Sequence, residues 1–242
     1  MQVQLFITCL GENFFPEMLE KMVTLLERLG VTPHFPPEQT CCGQPQYNSG
    51  FEAETRSMAR RWMQTFSRKG EPIVSPSGSC VEMVRHYPHL FPEGSAEHAL
   101  AVDLAARTFE FTEFLVRHLG VTDVGARFPH RVTYHASCHL LRGLGLRNEA
   151  KQLLADVRDL ELIPLTEEET CCGFGGIFSV LYPEVSRAML EDKVRHIVAT
   201  GAEYVVIGEA GCLMNIAGGL QKAGSQIRPI HLIEVLAAQG GA

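Results

Sequence analysis

The sequence predicts an α/β protein made of two tandem, duplicated units, each a parallel sheet flanked by helices, the two related by a pseudo-twofold axis. Three observations predict it. The cysteines fall in two sets of four: Cys9, Cys41, Cys42 and Cys80 are each answered, 129 to 132 residues later, by Cys138, Cys171, Cys172 and Cys212. The strings around them repeat as well, Thr40-Cys41-Cys42-Gly43 as Thr170-Cys171-Cys172-Gly173 and Gly78-Ser79-Cys80 as Ala210-Gly211-Cys212. Short apolar runs alternate with stretches of helical period along each half. A period of this length marks a duplicated domain, because solenoid repeats run to roughly 20–50 residues. The join falls near residues 121–129, which gives domains 1–124 and 125–242.

In the first half, residues 3–8 form a short apolar run that ends at Cys9. Met18, Met22, Leu25 and Leu29 then share one helical face, and Gly30 follows as the C-terminal cap. An extended piece at 31–35 leads to Cys41-Cys42. Residues 51–69 are predicted helical, with Met58, Trp62 and Phe66 on one face, and 72–75 form a strand before Cys80. The second half follows suit. Residues 131–135 are a strand before Cys138, 147–160 a helix with Leu146, Ala150, Leu153 and Val157 inward, and 162–165 a strand before Cys171-Cys172. Residues 183–200 are a helix with Leu190, Val194, Ile197 and Val198 on one face, and 203–207 a strand before Cys212. These are two Rossmann-like domains. In such sheets sites form beyond the carboxyl ends of the strands, and every cysteine follows a predicted strand. The eight thiols should therefore converge as two groups of four.

Composition narrows the function. The chain has 242 residues, 45% hydrophobic and 20% charged, which excludes a disordered or collagen-like chain. Its 21 basic and 28 acidic residues leave a net charge of −7 and no basic run, a poor match for nucleic acid. No stretch of 18 apolar residues is present for an integral membrane segment, and the N-terminus lacks the basic region of a secretory signal. A cytoplasmic location is expected, where thiols stay reduced. The cysteines then need a use other than disulfides.

Four converging thiols suit a soft metal, zinc or an iron–sulfur cluster. No C-x-x-C pair of the zinc-ribbon kind occurs. Side chains of adjacent cysteines diverge and reach different atoms of a cluster more easily than one small ion, which favours iron–sulfur. Buried cysteines serving as small hydrophobes are the plain alternative, and a duplicated set at strand ends argues against it. After the second pair comes Gly173-Phe174-Gly175-Gly176. Gly173, Gly175 and Gly176 let backbone N–H groups approach a cluster's sulfurs. The nucleotide-loop reading fails, since Phe178 stands where G-x-G-x-x-G needs glycine. The first pair continues as Gly43-Gln44-Pro45, so the two sites are not equivalent. His135 and His139 flank Cys138 and read first as satisfied histidines, with ligation or proton transfer as the rival reading. Arg142 and Arg147 read as a solvated face or as counter-charge to a cluster, and Glu167-Glu168-Glu169 as solvated loop.

The pattern of a lone Cys, a Cys-Cys-Gly and a further Cys, in two copies, resembles the cysteine-rich CCG domain family. That family includes the B subunit of heterodisulfide reductase and the iron–sulfur subunit of glycolate oxidase. The strings Cys41-Cys42-Gly43-Gln44-Pro45, Ser75-Pro76-Ser77-Gly78-Ser79-Cys80, Cys171-Cys172-Gly173-Phe174-Gly175-Gly176 and Gly211-Cys212-Leu213-Met214-Asn215 are similar to its stand-alone two-domain members. The resemblance implies iron–sulfur clusters of the four-iron kind, one or two, on the two sets of four cysteines. It implies electron transfer, without a catalytic residue of its own, in a system that oxidises L-lactate or a related 2-hydroxy acid to pyruvate. Two partner proteins are implied, one of them an iron–sulfur protein of ferredoxin type. Ser77 and Glu209 stand three residues before Cys80 and Cys212, where many family members have another cysteine. Each half thus has four thiols, which suits an ordinary four-iron cluster, or zinc in one half. A zinc-stabilised scaffold and a thiol or heterodisulfide-type reductase subunit are the competing functions.

Overall fold

The computed structural model describes residues 1–68 and 70–239. The chain divides into two compact units, Met1–Phe114 and Leu115–Ala242. Each holds a four-stranded, wholly parallel sheet with helices packed on it.

The first unit runs β1 (Gln2–Leu5), α1 (Cys9–Phe14), α2 (Pro16–Arg28), β2 (Thr32–His34), α3 (Gln44–Asn48), α4 (Glu52–Thr65), β3 (Ile73–Ser75), α5 (Gly78–His86), α6 (Ala96–Ala106), β4 (Thr108–Glu110) and α7 (Phe111–Glu113). Its strand order is β2-β1-β3-β4. The second unit runs β5 (Arg131–His135), α8 (Glu149–Ala155), β6 (Glu161–Ile163), α9 (Phe178–Leu181), α10 (Pro183–Ala199), β7 (Tyr204–Ile207), α11 (Ala210–Lys222), β8 (Arg228–His231) and α12 (Leu232–Ala237). Its order, β6-β5-β7-β8, repeats the first. Register follows the same rule in both, with Gln4 opposite Ile73 in one sheet and Val132 opposite Tyr204 in the other. Parallel pairing needs a crossover for every strand, and the helices supply it. The central strands bury Val3, Ile73, Val74, Val132, Val205 and Val206 fully, alongside the polar Gln4, Ser75, Thr133 and His135.

Most elements lie where the sequence places them, with three differences. The helix expected over 147–160 ends at Ala155, because Arg158 turns away to exchange backbone bonds with Ala126 (3.0 Å) and Phe128 (3.0 Å). On α10 the buried side is Ser186, Lys193, Val194 and Ile197, while Val198 is exposed. A lysine thus takes a core position that the apolar pattern gave to valine. The fourth strands, β4 and β8, have no counterpart in the sequence reading.

The core of the first unit has an aromatic knot. Phe6 meets Trp62 edge-on at 5.2 Å between ring centres, Trp62 stacks on Phe66 at 4.4 Å, and Tyr87 closes the group at 5.6 Å from Trp62. No helix among the described residues is long and apolar enough to cross a membrane.

Candidate metal centres

Each cysteine sits where a strand hands over to a helix. Cys9 opens α1, whose N-cap Thr8 accepts from Gly11 N. Cys41 and Cys42 lie in the loop after β2, and Gly43, at φ 81°, caps α3. Cys80 lies in the first turn of α5, where the Ser77 hydroxyl accepts from its N–H at 3.4 Å. Cys138 follows β5, Cys171 and Cys172 lie in the loop after β6, and Cys212 lies in the first turn of α11. Parallel topology brings these loops to one end of each sheet, and the structure gathers the eight thiols as two groups of four.

In the first group the Cys9 and Cys41 sulfurs stand 3.9 Å apart. Cys42 lies beside both Cys41 and Cys80, its single S–H shared between their sulfurs. The Cys41 thiol is pulled down to about 3, first by Cys42, then by Cys9, with help from the N–H groups of Gly43 and Cys42. The donors Cys9 and Cys42 are pushed up in turn. In the second group Cys172 donates to Cys212 at 3.2 Å, and Gly173 N donates to the Cys171 sulfur at 3.4 Å. Cys171 is held far below the usual thiol range by Cys138 and Cys172, and Cys212 by Cys172 and then by His135. In each group neighbouring thiols thus favour thiolate at one or two sulfurs, Cys41 in the first and Cys171 and Cys212 in the second, and thiolate is the form that binds metal. All eight cysteines are free of disulfides.

Both vicinal pairs are gripped by the helix that carries the last cysteine. Tyr87, just past α5, donates its hydroxyl to the Cys42 carbonyl at 2.8 Å. Asn215 on α11 donates to the Cys172 carbonyl at 2.8 Å. The glycines have separate tasks. Gly173 has φ 85°, and a Cβ there would lie 2.5 Å from the Ser186 carbonyl oxygen. Gly175 and Gly176, also at positive φ, turn the chain into α9, and their carbonyls accept from Phe178 N and Ser179 Oγ. Gly211 leaves room for the Phe174 ring, which a Cβ would meet at 2.6 Å.

The loop of three glutamates exposes Glu167 and Glu169 to solvent but is tied down through its backbone carbonyls. Lys193 is fully buried and donates to the carbonyls of Glu167 (2.6 Å) and Glu168 (3.1 Å). Arg142 donates to the Glu169 carbonyl at 2.8 Å, and Lys151 pairs with the Glu168 carboxylate at 2.8 Å. Arg142 and Arg147 are both exposed, as a solvated face requires, and Arg147 comes within 3.8 Å of the equally exposed Glu169 carboxylate.

The groups differ in what lies behind them. Three residues before the first cysteine stands Phe6 in one half and His135 in the other. Gly43 lies over Thr55 and Met58, and Gly173 over Ser186 and Met189; four residues further along those helices stand Trp62 and Lys193. Two aromatic rings behind the first group are thus replaced by an imidazole and an ammonium behind the second. Lys193 is the site residue that sequence reasoning missed, while His135, read there beside Cys138, is placed against Cys172 and Cys212 only by the structure. The signal was available in the repeat itself, as a break in the match between halves.

Residues 3–85 and 132–217 each match the cysteine-rich (CCG) domain. The chain belongs to the CCG domain family. CCG proteins similar to it over nearly the whole length include lactate utilization protein A of Exiguobacterium sp., 50% identical over 97% of this chain and 96% of that one. Lactate utilization protein A of Geobacillus kaustophilus is 46% identical over 99% of this chain and all of its own. A solved structure, a hypothetical protein from Helicobacter pylori, covers all of this chain at a TM-score of 0.66 and 11% identity, a likeness of fold alone. This chain spans about half of that protein, 49%.

Proposed function

We propose that this chain is the iron–sulfur electron-transfer component of a multi-protein system that oxidises L-lactate, or a related 2-hydroxy acid, to pyruvate. One observation carries the reading: eight free thiols gathered four and four, in a chain half identical over nearly its full length to lactate utilization protein A. The residues fit a thiolate-bound group. The donors are soft sulfurs, and Cys80 and Cys212 lie in the first turns of helices whose N-terminal dipoles favour anionic charge. Cys9, Cys41, Cys42 and Cys80 hold one four-iron cluster, and Cys138, Cys171, Cys172 and Cys212 a second metal group, a cluster or zinc. When bound, such a cluster supplies a one-electron carrier. The protein's own part is to hold the sulfurs, turn the Gly173 N–H toward Cys171, and leave Cys9 exposed at one edge, where electrons enter or leave. The domains are those of the sequence reading, 1–124 and 125–242. The partners are two proteins of the same system, one a ferredoxin-type iron–sulfur protein, and the compartment is the cytoplasm.

The test is iron, sulfide and zinc analysis with EPR on protein purified without air. A brown chain bleached by dithionite is expected, with the signal lost in Cys41→Ser. A colourless chain with two zinc ions would leave a scaffold as the function.

A further inference from the structure

We infer that His135 is a metal ligand, so that the second centre is held by imidazole nitrogen as well as by thiolates, while the first is held by sulfur alone. The inference deepens the proposed function, and rests on its reading of the cysteines as metal ligands.

Three observations on this chain carry it. His135 is fully buried at the end of β5, and its ring nitrogens make no well-formed hydrogen bond, the Cys212 sulfur being the polar group beside them. Buried polar groups are nearly always partnered, and leaving one bare costs stability. Its ligand nitrogen and the sulfurs of Cys172 and Cys212 all lie within 4.8 Å of one another, and all three residues are buried. Two thiolates on one tetrahedral zinc stand about 3.8 Å apart, given zinc–sulfur bonds near 2.3 Å, and the Cys172 and Cys212 sulfurs at 3.2 Å need only a small separation to reach that. Third, the fold does not require a histidine there. In the first unit the matching position is Phe6, packed against Trp62 and Phe66 in an apolar core. An imidazole without a well-formed hydrogen bond in the same place therefore points to a missing partner, and the lone pair of a ring nitrogen beside two thiolates suits a borderline-soft ion. Cys138 or Cys171 completes the shell.

The experiment uses the full chain carrying Cys41→Ser and Cys42→Ser, so that only the second centre remains, reconstituted without air with zinc alone and read by X-ray absorption. One imidazole nitrogen at about 2.0–2.1 Å, with its outer-ring scattering, beside sulfurs at about 2.3 Å is the expected shell. Replacing His135 by Phe, the residue the first half carries at this position, should remove the imidazole scattering and weaken zinc binding by more than about 10-fold. Cobalt in place of zinc should show the same change as a shift of its visible bands. A sulfur-only shell in the chain that keeps His135 overturns the inference and leaves the proposed function standing, and this measurement needs no folded His135 variant. Zinc binding unchanged by His135→Phe also overturns it. Failure of either centre to take up iron or zinc in the unsubstituted chain overturns the proposed function along with it.

Discussion

Gly43 and Gly173 occupy the same place in the two repeats, yet alanine should be far less tolerable at the second. Both have positive φ, 81° and 85°, so alanine in either carries the left-handed backbone strain of about 1–2 kcal/mol. At Gly43 a Cβ would meet the Met58 Cβ at 3.5 Å, an ordinary contact. At Gly173 it would lie 2.5 Å from the carbonyl oxygen of Ser186, an atom of the α10 backbone that cannot swing aside as a side-chain end can. Overpacking of that kind adds about 1–3 kcal/mol. Gly173→Ala should thus lose about 2–5 kcal/mol and Gly43→Ala about 1–2. Urea unfolding of the chelator-treated chain measures both. Trp62, the single tryptophan, reports the first unit by fluorescence, and far-UV circular dichroism adds the second. Gly173→Ala should lower the midpoint of the second unit's change in the dichroism more than it moves the Trp62 fluorescence midpoint. Equal losses, within about 0.5 kcal/mol, would refute the steric argument, since only the shared backbone term would then remain.

Further predictions concern groups buried in each unit. Burial raises the Glu110 carboxyl to about 7 from 4.5, so the protonated folded form has its full advantage below pH 4.5 and loses it as pH rises through 7. Burial lowers His231 to about 4 from 6.5, and its neutral ring accepts from Ile233 N at 3.2 Å, so that advantage is present above pH 6.5 and lost as pH falls through 4. Glu110→Gln should flatten the pH dependence of the first unit and His231→Asn that of the second, each by at most about 3 kcal/mol, read as urea midpoints across pH 4–8. Tyr87→Phe orphans the Cys42 carbonyl, and about 1–3 kcal/mol of stability should go from the first unit together with occupancy of its metal centre. Lys193→Met orphans the Glu167 and Glu168 carbonyls ahead of Cys171; a comparable loss is expected in the second unit, with the Trp62 transition moved less.

Repetition made most of the fold legible. The cysteine offset gave the duplication, and apolar residues at Val3, Ile73, Val132 and Val205 gave the strands, because strands of a sheet covered on both faces are rich in buried apolar side chains. β4 and β8 escaped because three or four residues such as Thr108-Phe109-Glu110 or Arg228-Pro229-Ile230-His231 are too short and too polar to show a period. The early end of α8 depends on Ala126 and Phe128, which lie about thirty residues upstream of Arg158. At the centres, residue type and spacing marked the thiols, but not the groups behind them. His135 meets Cys172 and Cys212 only after two crossovers, and Lys193 is polar on a face whose neighbours Val194 and Ile197 are apolar. Local pattern ranks such residues as incidental; three-dimensional placement gives them partners.

The exchange of Phe6 for His135, and of Trp62 for Lys193, has a meaning for how such a protein is assembled. A symmetric pair of identical chains must carry every substitution twice, once in each copy. Joining the copies in one polypeptide breaks that bond of identity. One half can keep an aromatic wall while the other acquires a basic one, and each can drift toward its own chemistry without forcing the same change on its sibling.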